Sequence, residues 1–382
     1  MFYFAAACAL VAGPMVWGQD PSAPKPNSAG AVAPVARPDA DPPPFARLEA
    51  IWQDLSNRSS TALLILRRDD IVFERYAPDF NLQKPHYTAS MAKALVGGIS
   101  LMVAMTDGLM SPDDLACRYV PAWAADPLKS KITVRHLATH TAGLEDAEAD
   151  DLPHEKLTGW KGDFWKRPPP PRDPFTLARD AAPVLDPPGA RARYSNPGMG
   201  MLSYCVTASL RGSTNTDVRS LLRQRILEPL GVAAGEWSVG YGRTDLVDGL
   251  PLVANWGGAA YSPNAVARVG RLMLHQGDWQ GRPLLSRRVV EQALRHAGLP
   301  NNMGLGWWLN QNADGSKPWP TVPGDAFWGS GAGQQILCVI PSLELIIVRN
   351  GRDLDQTISH QAGLGQYVVG PIVRAMSAAP RF

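Results

Sequence analysis

Cysteine is scarce in this chain. Four occur in 382 residues, with no C-x-x-C and no zinc-ligand spacing, which excludes a structural metal centre of the ribbon or finger type. Cys117, Cys205 and Cys338 lie beyond the N-terminal run in apolar contexts; odd in number, they read as packing residues. An excess of charge is missing too. The 37 basic and 35 acidic side chains give a formal charge of +2, hence neither a nucleic-acid footprint nor an acidic tail. There is no internal repeat, and no G-x-S-x-G to set a nucleophilic serine on a sharp strand-to-helix elbow. His136 and His140 stand four apart in HLATH, but Leu137 occupies the place of the glutamate in a zinc-binding H-E-x-x-H, so the two read as a packed structural pair. GMGML and GSGAG do not follow a strand and open a helix as phosphate loops do. These absences leave no metal, no cofactor and no nucleic acid to expect, and point to small molecules or neutral polymers as partners.

What is present begins with the apolar run MFYFAAACALVAGPMVWG, too short to span a bilayer comfortably, with Val16 and Gly18 at signal-cleavage spacing. Residues 1–18 are expected to be a signal peptide lacking the usual basic leading residues, with the product exported to the periplasm or secreted. Residues 19–44, rich in Pro, Ala, Ser and Asp, cannot pack a core and are expected to be an extended linker. Periodicity starts at residue 45. Leu48, Ile51, Trp52 and Leu55 predict a short amphipathic helix, and TALLILRR and IVFERY around Asp69-Asp70 predict a hairpin at a sheet edge. SPDDLACRYV and Ile132 to Leu144 read as mainly helical. Glu145 to Pro188 breaks into acidic, proline-rich and tryptophan-bearing sequence, an irregular insertion of the kind that forms a lid or pocket wall. Helical spacing returns at Met199–Leu210, Val218–Leu230, Asn264–His275 and Ser286–His296. Period two then predicts a central hairpin from FWGSGAGQQILCVI and LELIIVRN, followed by a closing helix near His360 to Met376. Strands at both chain ends around a helical middle imply an α+β fold: an antiparallel sheet flanked by helices, built from both chain ends, with a mainly helical domain (about residues 100–310) inserted.

Three stretches carry chemistry. In HYTASMAKALVGGISLMVAM, Thr88 reads as an N-cap and Leu95, Val96, Ile99, Met102 and Val103 recur with helical spacing, so Ser90 and Lys93 fall in one helical turn. Side chains at i and i+3 are about 5–6 Å apart at Cβ, so the lysine amine reaches the serine hydroxyl without distorting the backbone. Tyr194-Ser195-Asn196 follows a turn forced by Pro188 and Gly189, and a tyrosine and an asparagine two apart on a loop can face one cleft. Gly329-Ser330-Gly331 precedes the ILCVI strand, where glycines let backbone amides approach a substrate closely.

In this order and spacing the three stretches resemble the penicillin-recognising serine hydrolases, which include serine β-lactamases, D-alanyl-D-alanine peptidases, family VIII carboxylesterases and 6-aminohexanoate-dimer hydrolases. TDGLMSPDDLACRYVPAW, ITVRHLATHTAGL, the Gly257-Gly258 region, GLGWW and the strand pair ending IIVRNG are similar to the same family, over roughly Arg47 to Met376. The resemblance implies a β-lactamase/transpeptidase-like domain in which Ser90 is acylated and water then releases the acyl group. It makes Ser90, Lys93 and Tyr194 the catalytic residues. Asn196 would bond Lys93 or substrate, the amides of Ser90 and Ala332 would form the oxyanion hole, and Trp328, Gly329, Ser330 and Gly331 would bind substrate. A lysine normally keeps its proton at neutral pH, so burial must lower that cost; whether Lys93 or Tyr194 removes the serine proton stays open. The favoured scheme has Lys93 hold Tyr194 in its reactive state and Tyr194 return the proton to the leaving group. Gly329 stands where the family's β-lactam and D-alanine enzymes commonly carry Lys or His, so the substrate needs no carboxylate unless Arg349 or Arg193 substitutes. That implies hydrolysis of small esters with weak β-lactam hydrolysis; the alternatives are an amidase or D-aminopeptidase acting on peptide or oligoamide fragments, and a penicillin-binding sensor that never turns over. Of the twelve tryptophans, Trp160, Trp165, Trp307, Trp308 and Trp328 fall in cleft-forming stretches, with two or three expected to line the site.

Overall fold

The computed structural model describes residues 44–149, 152–298 and 301–377; the expected signal peptide and nearly all of the linker lie outside them. The chain starts with α1 (Pro44–Asn57), which buries Leu48, Trp52 and Leu55, three of the four positions whose spacing predicts it. Strands β1 (Ser60–Arg67) and β2 (Asp70–Tyr76) follow as an antiparallel hairpin. Its tight turn places Arg68 at φ 51° and Asp69 at φ 69°, the left-handed pair that matches strand twist without a glycine. Only β2 is an edge strand. β1 lies inside the sheet, bonded on its other side to a strand from the far end of the chain, which corrects the edge expected for both.

The far end supplies β3 (Trp308–Leu309), β4 (Phe327–Gly331), β5 (Gln335–Ile340) and β6 (Leu345–Gly351). The sheet order is β3-β4-β5-β6-β1-β2, antiparallel throughout, so the two chain ends meet at the β6–β1 pair. Both faces are covered. On one, Leu63, Ile65, Trp328, Cys338 and Ile347 pack on α1 and on the closing helical stretch of His360–Ser377. On the other, Leu64, Phe327, Leu337, Ile346 and Val348 pack on the helices inserted between β2 and β3.

At the centre of that second core runs the Ser90 segment. A 3₁₀ turn (Ala89–Met91) passes into a π-helical stretch (Lys93–Gly98) and then α2 (Ile99–Thr106). The window Ala89–Thr106, of mean hydropathy 1.5, is long and apolar enough to cross a membrane, yet 83 % of it is buried in protein: a core helix. Gly97 and Gly98 make that burial possible, since a Cβ on them would meet Met199 Cε at 2.6 Å and Trp307 Nε1 at 2.9 Å. Thr88 does not cap the helix. Its N–H and Oγ1 both donate to the Ala259 carbonyl, at 2.9 and 3.0 Å, and Ala89 takes a left-handed φ of 47° before the turn begins.

Several helical expectations shorten. SPDDLACRYV holds only a 3₁₀ turn at Ala116–Arg118, and Ile132–Leu144 is helical only over Val134–Ala138, because His140 and Gly143 at φ 56° and 76° redirect the chain. The Glu145–Pro188 insertion is more regular than its composition suggests. It contains helices Gly159–Lys166 and Pro174–Asp180, the second capped by Asp173, whose buried carboxylate accepts from the N–H groups of Phe175 and Thr176.

Candidate active site

Lys93 is the residue on which the site converges. Its side chain is 5 % exposed, and Nζ lies 3.0 Å from Ser90 Oγ, 2.7 Å from Asn196 Oδ1 and 2.7 Å from the Trp256 carbonyl oxygen. A neutral amine has two N–H donors and one lone pair. The amide oxygen of Asn196 and the carbonyl of Trp256 can only accept, so they take the two N–H groups and leave the lone pair for the Ser90 hydroxyl. Burial lowers the amine to about 7, against the smaller opposing pull of Asp146 and Glu148. A buried neutral base against a serine hydroxyl can take up that hydroxyl's proton near neutral pH.

Each partner of Lys93 is placed by a different part of the chain. Asn196 opens a helix (Asn196–Ser209) capped by Ser195, whose Oγ accepts from Gly198 N–H at 2.9 Å, so the YSN stretch is a helix entry as well as a cleft wall. The amide of Asn196 is oriented by a carboxylate: Asp146 Oδ1 accepts from Asn196 N–H at 2.8 Å and from Nδ2 at 3.0 Å, which leaves Oδ1 of the asparagine turned to Lys93. Trp256 is wedged between Phe164 and Phe175, with ring centroids 4.9 and 5.4 Å away, and this packing fixes its carbonyl. Asp146 and Glu148 carry no signal in the sequence, since EDAEADD offers carboxylates at most positions and no spacing selects two.

Tyr194 completes the group. Its ring centroid is 4.7 Å from Lys93 Nζ, and its phenol meets the Ser90 hydroxyl. Although the residue as a whole is 36 % exposed, desolvation of its inward-turned phenol, only partly offset by Ser90, holds that group in its protonated form, the form that donates a proton.

The late motif arrives on β4. Gly331 runs directly over the Ser90 turn, where a Cβ would sit 2.3 Å from Thr88 O, 2.7 Å from Ser90 N and 2.8 Å from Met91 N. Ala332 follows, and the two backbones form one wall of a cavity of about 370 Å³ with Ser90, Tyr194, Trp308, Trp328 and Ser330. Gly329 is not part of that wall. Its Cβ direction points at Ala94 Cβ, 2.7 Å away, so its role is close packing of the strand on the Ser90 segment, which corrects its placing among substrate-binding residues. Trp308 and Trp328 line the cavity, whereas Trp307 is fully buried and Trp165 faces a separate hollow with Tyr87 and Tyr241.

Among the described residues the cavity lining holds one carboxylate, Glu148, and one imidazole, His360, and neither lysine nor arginine. The two arginines considered as carboxylate anchors are engaged elsewhere. Arg349 is completely buried, bonded to Ser60 Oγ and to the carbonyls of Gly333, Gln334 and Arg352, and Arg193 is paired with Asp186 at 2.7 Å. His136 and His140 do not form one packed pair. His136 closes a capping box with Thr133, and His140 lies against Tyr194, its ring centroid 4.4 Å from the phenol's. Among the described residues no cluster of His, Cys, Asp and Glu could hold a metal ion.

Comparison with known proteins identifies the fold and the family. A family model described as Beta-lactamase matches residues 48–352. The 6-aminohexanoate-dimer hydrolase of Paenarthrobacter ureafaciens is 23 % identical over 369 residues, 90 % of this chain and 85 % of that protein. Among solved structures, a family VIII carboxylesterase superposes with a TM-score of 0.63 at 15 % identity, covering 87 % of this chain and 98 % of the other. A D-stereospecific amidohydrolase from Streptomyces sp. superposes at 0.60 and 15 %, covering 85 % and 99 %. At such identities the two superpositions speak for the fold alone, and it is the match of the family model over most of the chain that assigns it: the protein belongs to the beta-lactamase family, within the penicillin-recognising serine hydrolases.

Proposed function

We propose that this hydrolase cleaves small, uncharged carboxylic esters through an acyl-enzyme on Ser90. The observation that carries the chemistry is the arrangement of the Lys93 amine, 2.7 Å from two acceptors, Asn196 Oδ1 and the Trp256 carbonyl, and 3.0 Å from Ser90 Oγ, so that in the neutral amine the free pair falls to Ser90. Lys93 takes the serine proton as Oγ attacks the ester carbonyl, and the Ser90 and Ala332 amides receive the oxyanion. The alkoxide leaves with a proton from Tyr194, which Tyr194 regains from the Lys93 ammonium. Water then attacks the acyl carbon as the neutral Lys93 amine takes its proton, and Ser90 Oγ leaves with that proton returned from the Lys93 ammonium. The choice of an uncharged substrate rests on a cavity without lysine or arginine and lined in part by Trp308.

A second reading, an amidase on short peptides or oligoamides, has its own support. An amine leaving group needs a proton donor, which Tyr194 is placed to be, and the Paenarthrobacter relative is named for the 6-aminohexanoate dimer. Initial rates on a short-chain p-nitrophenyl ester, its carboxylate-bearing counterpart and a D-amino amide decide between these. The expected result is many turnovers of the neutral ester, slower cleavage of the charged one, and a loss on the order of 10⁴-fold or more in Ser90→Ala. Turnover that survives Ser90→Ala overturns the assignment, faster amide than ester cleavage favours the amidase, and a single stoichiometric burst favours a sensor.

A further inference from the structure

His140 is buried beside the site and has no part in the relay just described. Its N–H donates to the Leu137 carbonyl at 3.5 Å, and three further contacts fall on one tripeptide. Its carbonyl accepts from Arg193 N–H at 2.7 Å, its Nδ1 accepts from Ser195 N–H at 3.2 Å, and its ring packs on Tyr194 with centroids 4.4 Å apart. Both neighbours of Tyr194 in the chain are thus hydrogen-bonded to the residue whose ring also touches the phenol. Two features make histidine a costly choice for filling space there. Its φ of 56° is left-handed, a conformation in which glycine or asparagine would be less strained, and its Nε2 is buried without a hydrogen-bond partner among the described residues. Strain and an orphaned donor at one buried position beside a reactive group point to a task other than packing.

We propose that His140 is the positioning residue for Tyr194, a neutral imidazole that fixes the phenol at Ser90 and Lys93 by holding the chain on both sides of it. The proposal rests on the relay of Ser90, Lys93 and Tyr194. It requires one tautomer: Nδ1 accepts from Ser195, so the proton sits on Nε2. Burial, with the Lys93 ammonium as a smaller cause, pushes the imidazole down to about 3, so it stays neutral while Lys93 and Tyr194, the titratable groups facing it, do the proton transfer.

The test uses two substitutions that both tolerate a left-handed φ, so that backbone strain does not separate them. His140→Gly removes ring and acceptor; His140→Asn offers a side-chain oxygen near the place of Nδ1. With a neutral ester, His140→Gly is expected to lose on the order of 100-fold in acylation rate with KM within about threefold, and His140→Asn to recover at least about tenfold of that loss. Equal rates in the two variants, or a loss confined to KM, overturn the positioning role. On the unaltered protein, imidazole ¹⁵N shifts are expected to report the Nε2–H tautomer unchanged from about pH 5 to about pH 9. An Nδ1–H tautomer, or a titration within that range, overturns the proposal whether or not the variants fold. Ser90→Ala runs alongside: if it still turns over, the relay itself is wrong, whereas an inactive Ser90→Ala beside a fully active His140→Gly sinks only the role of His140.

Discussion

A lysine amine is a strong base that water keeps protonated, and the chemistry proposed for this protein follows from removing that water from one such amine. Lys93 at about 7 sits well below its ordinary value because it is desolvated, so its neutral fraction rises as pH rises through 7. The acylation rate of the unaltered protein is therefore expected to climb with an apparent midpoint near 7 and then level off, as read from pre-steady-state bursts across pH. Glu148 raises the Lys93 value by its negative charge. Glu148→Gln removes that charge, makes the ammonium less favourable, and is expected to move the midpoint to lower pH. A shift to higher pH would contradict the electrostatic account of the site. Lys93→Ala is expected to abolish acylation while leaving binding of a neutral ester measurable.

At the scale of elements, the decisive contact is that of β4 on the Ser90 turn, where backbone meets backbone and no side chain intervenes. Gly331→Ala inserts a methyl group 2.3 Å from a carbonyl oxygen and 2.7 Å from the Ser90 nitrogen, so strand or turn must move. Overpacking of this kind costs about 1–3 kcal/mol, measurable by urea unfolding. The larger effect is expected in acylation, since the displaced amides are those proposed to face the oxyanion. A control elsewhere in the same segment separates the two effects. Leu101 is fully buried in α2, and Leu101→Ala is expected to lose about 2–5 kcal/mol of stability with little change in acylation per folded molecule.

At the scale of the whole molecule, β6 is the keystone of the sheet, lying between β5 and β1, the one strand that ties the two chain ends together. Its buried Arg349 adds a side-chain link, bonding Ser60 of β1 and the turn between β4 and β5. A chain ending at residue 344 would leave β1–β2 and β3–β4–β5 as separate sheets with one buried edge each. It is expected to show no cooperative urea transition by circular dichroism, whereas the full chain unfolds in one. Because β1 and β6 are nearly the full domain apart in sequence, refolding is expected to be slow for the protein's size.

How much of this was legible beforehand depends on the range of the force involved. Local rules settle local geometry. Three residues of spacing put Ser90 and Lys93 on one turn, alternation marked β1, β2, β5 and β6, and Ser195 followed by proline opened a helix. Where a left-handed residue intervened without a glycine to announce it, at Ala89 and at His140, pattern reading ran the helix too far. The reactivity of Lys93 had no local signature. It comes from the exclusion of water by the core, with the N–H groups taken by Asn196 and the Trp256 carbonyl, 103 and 163 residues away in sequence, and with Asn196 oriented by Asp146. Residue types and spacing therefore determined which groups were available, and only the tertiary structure decided their protonation, because desolvation and through-space charge act between neighbours in space and not along the chain.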